Sequence, residues 1–176
     1  PLQARLEKMG MGRVTGGGSQ LDELGGITYA DIDLELANVD EALRIVAETL
    51  ETAGAPQGSE LIQRSDNRVL REFGKQQCLA IYLDGTSLPD EVYANLDFEA
   101  VVAALSEAAG QDSYRGFWQG PEETGLFLFG LDAEAMFARV EPVLRRLPIG
   151  QNARVVIRRG KQGSSPREIR IPRHKA

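Results

Sequence analysis

Three copies of one pattern, a strand followed by an amphipathic helix, dominate this sequence. The predicted strands begin near residues 27, 77 and 125, a period of about 50 residues. The first of them, 27–37, alternates apolar and polar side chains at successive positions, which is typical of a strand with one buried face. Strands that alternate with helices in this way predict βαβ units, so an all-helical or all-strand fold is excluded.

Each of these strands is followed by a segment in which apolar residues recur every three or four positions. This spacing predicts helices at 39–53, 98–109 and 133–147. Asp97 and Asp132 precede the second and third helices, where an aspartate side chain can accept hydrogen bonds from free backbone N–H groups. Further short strands are predicted at 59–64, 113–119, 153–159 and 167–171.

The order of these elements predicts an α+β fold of two layers, with helices on one face of a mostly antiparallel sheet. It corresponds to a ferredoxin-like βαββαβ core extended by a third βαβ unit. We expect a single domain over 27–172, preceded by a flexible segment at 1–26 and followed by a frayed tail at 173–176. The glycines within 1–26 have the composition of a flexible linker.

Charge is unevenly distributed along a chain of ordinary globular composition. The 176 residues include 20 Lys and Arg against 26 Asp and Glu, a net charge of −6. Residues 1–138 carry 9 basic and 24 acidic side chains, whereas residues 139–176 carry 11 and 2. The acidic excess argues against a dedicated nucleic-acid protein, and the lack of a long apolar run argues against a membrane protein. A single cysteine favours a reducing compartment, so a cytoplasmic location is expected.

The residue types that catalysis and metal binding need are scarce. His174 is the one histidine and lies in the tail that we expect to fray, so it cannot be held as a general base. Cys78 is the one cysteine and lies on a strand with two apolar faces, where thiols are buried and inert. Two such residues cannot supply four ligands to a transition metal. The sequence therefore predicts a protein that is not an enzyme and uses no cofactor or metal.

An acidic row lies on the first predicted strand. Asp31, Asp33 and Glu35 alternate along it, so their side chains share one face of the sheet. Successive side chains on one face are about 6.7 Å apart, a spacing that converges poorly on a single cation. Two other interpretations remain open, a solvated strand face and a contact surface for a basic protein.

A tryptophan and two glutamates mark a predicted hairpin near residue 120. Trp118 precedes the loop that carries Glu122 and Glu123. A tryptophan beside a turn either packs against the rim of the core or anchors a binding partner. The segment 115–117 matches the start of an RNA-recognition strand, but Gln119 breaks that motif, so RNA is not an expected ligand.

A small acidic domain with these features resembles the immunity proteins that bacteria make against secreted toxins. The resemblance is one of character and is carried by Asp31, Asp33, Glu35, Trp118, Glu122 and Glu123. It implies a binding protein that neutralises a basic toxin, with the carboxylates facing the basic site and the tryptophan as anchor.

The alternative is a ferredoxin-like module that binds a small molecule or forms a homodimer through its sheet. An open carboxylate face would favour a protein partner, whereas a cleft with apolar walls would favour a small ligand.

Overall fold

The computed structural model describes residues 2–21, 27–160 and 165–173. The chain is α+β with antiparallel sheets, as predicted. It divides into two compact units, unit 1 (residues 1–75) and unit 2 (residues 76–176), whereas the sequence predicts one domain over 27–172. None of the described helices is long and apolar enough to cross a bilayer.

The described part of unit 1 contains two helices and two separate hairpins. Its elements are α1 (Leu2–Lys8), β1 (Gly12–Leu21), β2 (Ile27–Leu36), α2 (Val39–Thr52), β3 (Ser59–Gln63) and β4 (Arg68–Phe73). Strands β1 and β2 form one antiparallel pair and β3 and β4 form another. The core lies between the helices and these hairpins, and its members include Leu6, Leu34, Ile45, Val46 and Leu61.

The segment that was expected to be a flexible linker is largely a helix and a strand. Helix α1 buries Leu2 and Leu6, and the glycine-rich stretch after it forms β1. The glycines allow β1 to approach β2 closely, because a Cβ placed at Gly12 would lie 2.0 Å from the carbonyl oxygen of Glu35. The absence of side chains therefore serves close strand packing here.

Unit 2 is built on one five-stranded sheet. Its elements are β5 (Gln77–Asp84), α3 (Asp90–Ala94), α4 (Phe98–Ala109), β6 (Tyr114–Gln119), β7 (Glu123–Gly130), α5 (Ala133–Arg146), β8 (Arg154–Arg158) and β9 (Arg167–Arg170). The strand order is β6-β7-β5-β8-β9, and every neighbouring pair is antiparallel. Strand β5 is central and almost wholly buried, as its apolar sequence predicts.

Helices α4 and α5 cover one face of this sheet, which agrees with the predicted layers. Leu105 of α4 and Leu144 of α5 share a core with Ile81 of β5. The predicted caps are confirmed, because Asp97 accepts from the N–H of Ala100 and Asp132 from that of Ala135, each at 3.0 Å. The predicted helix at 39–53 corresponds to α2 and belongs to unit 1, where it packs against that unit's own hairpins.

The opposite face of the sheet, called here the helix-free face, carries its own small apolar cluster. Buried Cys78, Ala80, Tyr82 and Val156 form its centre, and Trp118, Phe127 and Phe129 pack against them. The ring of Phe127 meets that of Tyr82 edge to face at a centroid distance of 6.3 Å. This face therefore presents partly exposed aromatic rings, with the guanidinium of Arg154 lying over the ring of Tyr82.

Candidate functional site

The six residues predicted to bind a partner fall in both units of the chain. Asp31, Asp33 and Glu35 lie on β2 of unit 1, and Trp118, Glu122 and Glu123 belong to the β6–β7 hairpin of unit 2. Within each unit the predicted residues are neighbours, as their spacing in the sequence indicates.

The carboxylates of β2 share one face of the hairpin, as predicted. Leu34 and Leu36 pack into the core of unit 1, so the residues that alternate with them project from the other face. Asp31 and Glu35 are exposed and Asp33 is half-buried. This acidic face is part of an open two-stranded ribbon, with no helix of the described part of unit 1 placed over it.

Two of these three carboxylates already have basic partners. The guanidinium of Arg13 lies 2.7 Å from Glu35, and that of Arg64 lies 3.0 Å from Asp33. Asp31 forms no ion pair with any residue that the structure describes. Sequence reasoning missed both arginines because they come from β1 and from the loop after β3, far from β2 in the chain.

An open groove of about 450 Å³ adjoins the end of this acidic face. Its lining consists of Glu7, Gly12, Arg13, Glu35, Leu36 and Ala37. The groove is open to solvent, so it offers little of the enclosure that small ligands use.

The predicted anchor, Trp118, is half-buried on the helix-free face. Its ring packs closely against Gly120 of the hairpin. A Cβ placed at Gly120 would lie only 2.2 Å from the ring atom Cη2. Part of the indole is therefore used within unit 2, and the rest is accessible at the hairpin. Glu122 at the same hairpin is exposed.

Glu123 is held by an arginine that sequence analysis did not single out. The Nε of Arg154 donates to Glu123 Oε1 at 3.1 Å, and an Nη of the same guanidinium donates to Oε2. Hydrogen bonding to Glu123 raises the pKa of Arg154 above its usual value. The guanidinium also stacks on the ring of Tyr82 at 4.0 Å from the centroid. Glu123 is thus a structural partner within unit 2 rather than a free carboxylate.

A second polar cluster in unit 2 surrounds Asp84 at the end of β5. Partial burial would raise the pKa of Asp84, but hydrogen bonds from Ser87, Thr86 and Asn152 outweigh it and hold that pKa well below its usual range. Arg173 donates to the Ser87 carbonyl at 2.8 Å, which ties the C-terminal segment to this loop. Each of these contacts stabilises the loop, so we assign the cluster a structural role.

Cys78 occupies the buried position that its strand predicts. It is 8% exposed in the centre of the sheet, and burial raises the pKa of its thiol to about 11. A thiol with this pKa is almost entirely protonated at neutral pH. His174 lies outside the described residues. No group of three or more His, Cys, Asp or Glu side chains suited to a metal ion occurs in the part of the chain that is described.

Comparison of this chain with protein-family models, with curated proteins and with solved structures finds no significant match.

Proposed function

We propose that this chain is a non-catalytic binding protein of the immunity type, which neutralises a basic protein by contact. The acidic face of β2 would meet the basic surface, and the Trp118 hairpin would supply an aromatic anchor. The observation that carries the proposal is the row of carboxylates on an open strand face, with Asp31 left without an ion pair among the described residues. Complementary charge speeds the encounter of two proteins, and a tryptophan slows their dissociation.

The ion pairs on this face are compatible with partner binding. Both Arg13–Glu35 and Arg64–Asp33 are solvent-exposed, and the side chain of Arg64 is 87% accessible. Exposed ion pairs contribute only about 0–1 kcal/mol to stability, so a partner's lysine or arginine can replace either arginine at small cost. Until then, the two arginines hold the carboxylates in an ordered row.

The experiment compares association kinetics in two variants that each lose three charges. The test variant carries Asp31→Asn, Asp33→Asn and Glu35→Gln, and the control carries Asp90→Asn, Glu91→Gln and Glu99→Gln at exposed positions of unit 2. The basic partner is captured from the source cell, identified by mass spectrometry and purified. We expect the test variant to associate about tenfold more slowly at low salt, with a flatter salt dependence, and the control to match the parent.

A third variant, Trp118→Ala, separates anchoring from steering. We expect it to bind on the order of 2 kcal/mol more weakly, mainly through faster dissociation. If the captured protein is not basic, or if the test and control variants associate at the same rate, the proposed function is wrong.

A second candidate function is a ferredoxin-like module that dimerises through its sheet or binds a small molecule there. The strand order β6-β7-β5-β8 with two helices on one face supports a ferredoxin-like assignment for residues 77–158. Partly exposed Trp118, Phe127 and Phe129 on the helix-free face favour this function, since a second sheet would cover them. Sedimentation of the parent and of Phe127→Lys distinguishes it, because only a dimer of this kind would dissociate on substitution.

A further inference from the structure

The two units repeat the same order of elements. The order in unit 1 is helix, hairpin, helix, hairpin, formed by α1, β1–β2, α2 and β3–β4. From α4 onwards, the helices and strands of unit 2 follow the same order, formed by α4, β6–β7, α5 and β8–β9. Unit 2 has in addition the central strand β5, followed by the short helix α3. Among the described residues of unit 1 there is no counterpart of β5.

The first hairpins of the two units share one register and one irregularity. In unit 1 the pairs Val14–Leu34 and Gly16–Asp33 lie on either side of a one-residue bulge. In unit 2 the pairs Tyr114–Leu128 and Gly116–Phe127 lie on either side of an equivalent bulge. In both hairpins the extra residue is on the first strand and lies opposite corresponding residues of the second strand. Because a bulge is a specific local feature, this agreement supports a true structural repeat.

A constant offset relates the second half of each repeat. The N-caps Asn38 and Asp132 are 94 residues apart (38 to 132), as are the buried helix residues Val46 and Val140 (46 to 140). The same offset links Gly58 and Asn152 (58 to 152), which both have a positive φ shortly before the next strand. Applied to β2 and β3, this offset matches Ile32 with Leu126 and Ile62 with Val156.

Ile32 and Ile62 of unit 1 are exposed to solvent, whereas β5 covers the corresponding residues of unit 2. Leu126 and Val156 are paired with Ile81 and Ala80 of β5 and are 1% and 5% exposed. Ile32 and Ile62 are 50% and 51% exposed. Ile32 is on the same face of β2 as the core residue Leu34, so its exposure is a gap in the core layer.

The edges of β2 and β3 that would flank such a strand are open. Leu34 of β2 and Leu61 of β3 pack against the same core as α2, and the ion pair between Asp33 and Arg64 joins the two hairpins. Yet β2 and β3 belong to separate two-stranded sheets, and in the described part of unit 1 neither has a second hydrogen-bonded neighbour. We call the pair of open edges, with Ile32 and Ile62, the slot.

We propose that unit 1 binds an extended strand of its partner protein in this slot, antiparallel to both β2 and β3, as β5 lies between β7 and β8. Backbone hydrogen bonds to both edges would provide affinity, which is the principle of strand addition. An apolar side chain of the bound strand that points towards the core of unit 1 would cover Ile32 and Leu61. In unit 2, Ile81 of β5 covers the corresponding residues Leu126 and Val155 in this way. The inference rests on the proposed function in taking the partner to be a basic protein.

The acidic face determines the outward side chains of the bound strand. In unit 2, Tyr82 of β5 lies between Gly125 of β7 and Arg154 of β8. The offset of 94 residues matches these two neighbours with Asp31 of β2 and Glu60 of β3. A residue of the bound strand at the position of Tyr82 would therefore have Asp31 on one side and Glu60 on the other. Neither Asp31 nor Glu60 forms an ion pair with the described residues. A lysine or arginine there would lie between two carboxylates, so the partner strand should alternate apolar and basic residues.

The test uses fluorescence anisotropy with the full chain and a labelled octapeptide of alternating isoleucine and lysine. We expect this peptide to bind, and we expect N-methylation of two central peptide bonds to weaken binding at least tenfold, because methylated nitrogens cannot donate to the strand edges. Replacing each lysine with glutamate should weaken it to a similar extent. In the chain, Ile32→Lys should weaken binding about tenfold, whereas Met9→Lys, also at a partly exposed apolar residue of unit 1, should not.

The outcomes separate the two proposals. If the lysine peptide binds better than the glutamate peptide but N-methylation has no effect, charge-driven binding stands and strand addition is wrong. If N-methylation matters but charge does not, strand addition stands and the basic partner is wrong. If the peptide does not bind while the chain sediments as a dimer that Ile32→Lys dissociates, a second copy occupies the slot and the partner strand is overturned. Circular dichroism of both variants confirms that they are folded.

Discussion

Replacing Leu126 with alanine is expected to lower the free energy of unfolding of unit 2 by about 3 kcal/mol. Leu126 is paired with Ile81 of the central strand, and its side chain is buried on the helix-covered face of the sheet, within the main core cluster. Truncation would remove apolar contacts and leave a cavity that the surrounding strands and helices cannot fully close. Urea unfolding followed by circular dichroism measures the loss as a shift of the midpoint at constant slope.

The matched control is Ile32→Ala at the corresponding position of unit 1. Because Ile32 is half exposed, we expect its truncation to change stability by roughly 0.5 kcal/mol or less. Such a contrast between equivalent positions would show that Ile32 has no covering strand in the folded chain, whereas Leu126 is covered by β5. An equal loss at both positions would mean that Ile32 is covered in the folded chain, and the slot would then not exist.

Gly12→Ala is expected to destabilise unit 1 by about 3 kcal/mol. Gly12 has a φ of 135°, which side-chain-bearing residues rarely adopt, and its added Cβ would meet the backbone of Glu35. Since neither the carbonyl oxygen of Glu35 nor the paired strand can move away easily, the hairpin would have to open at this point. Thermal unfolding monitored by near-ultraviolet and far-ultraviolet circular dichroism reports the change.

Gly10→Ala separates the two contributions. Gly10 also has a positive φ, of 64°, but a Cβ added there would have nothing within 4 Å, so only the conformational cost of about 1 kcal/mol remains. If Gly12→Ala is no worse than Gly10→Ala, the glycine-rich segment is not held against β2 in solution. The linker predicted from its composition would then be correct.

The elements with strong local periodicity could be predicted from the sequence. The helix predicted at 98–109 has those bounds in the structure, and β5, β7 and β8 lie where apolar runs indicate them. Their side-chain spacing and caps are local signals, which do not depend on the rest of the chain. For the same reason, β1 was missed, because a glycine-rich segment has no such periodicity and becomes a strand only by pairing with β2.

The division into two units could not be read from local patterns. A period of about 50 residues suggested three equal βαβ units in one sheet. The structure shows a longer repeat of helix, hairpin, helix, hairpin, in which matched elements start from 94 (39 to 133) to 102 (12 to 114) residues apart. The shorter period arises because β5, which has no counterpart in the described part of unit 1, starts midway between the corresponding strands β2 and β7.

The candidate site was predicted in part. Alternation along β2 placed Asp31, Asp33 and Glu35 on one face, and the structure agrees. The pairing of Asp33 with Arg64 depends on how the two hairpins of unit 1 fold, which no local spacing reveals. Glu60 likewise carries no local signal, because it becomes relevant only where β3 forms one edge of the slot.

Amide hydrogen exchange, measured residue by residue in the chain alone and with the isoleucine–lysine peptide, tests the central claim most directly. In the free chain, we expect the amides of β5 to exchange slowest and the slot-facing amides of β2 and β3 to exchange fast, since an open strand edge leaves about half of its N–H groups without partners. With peptide bound, both edges should become protected together. If the amides of β2 and β3 are already as protected as those of β5 in the free chain, or if only one edge responds, unit 1 does not bind a strand in the slot.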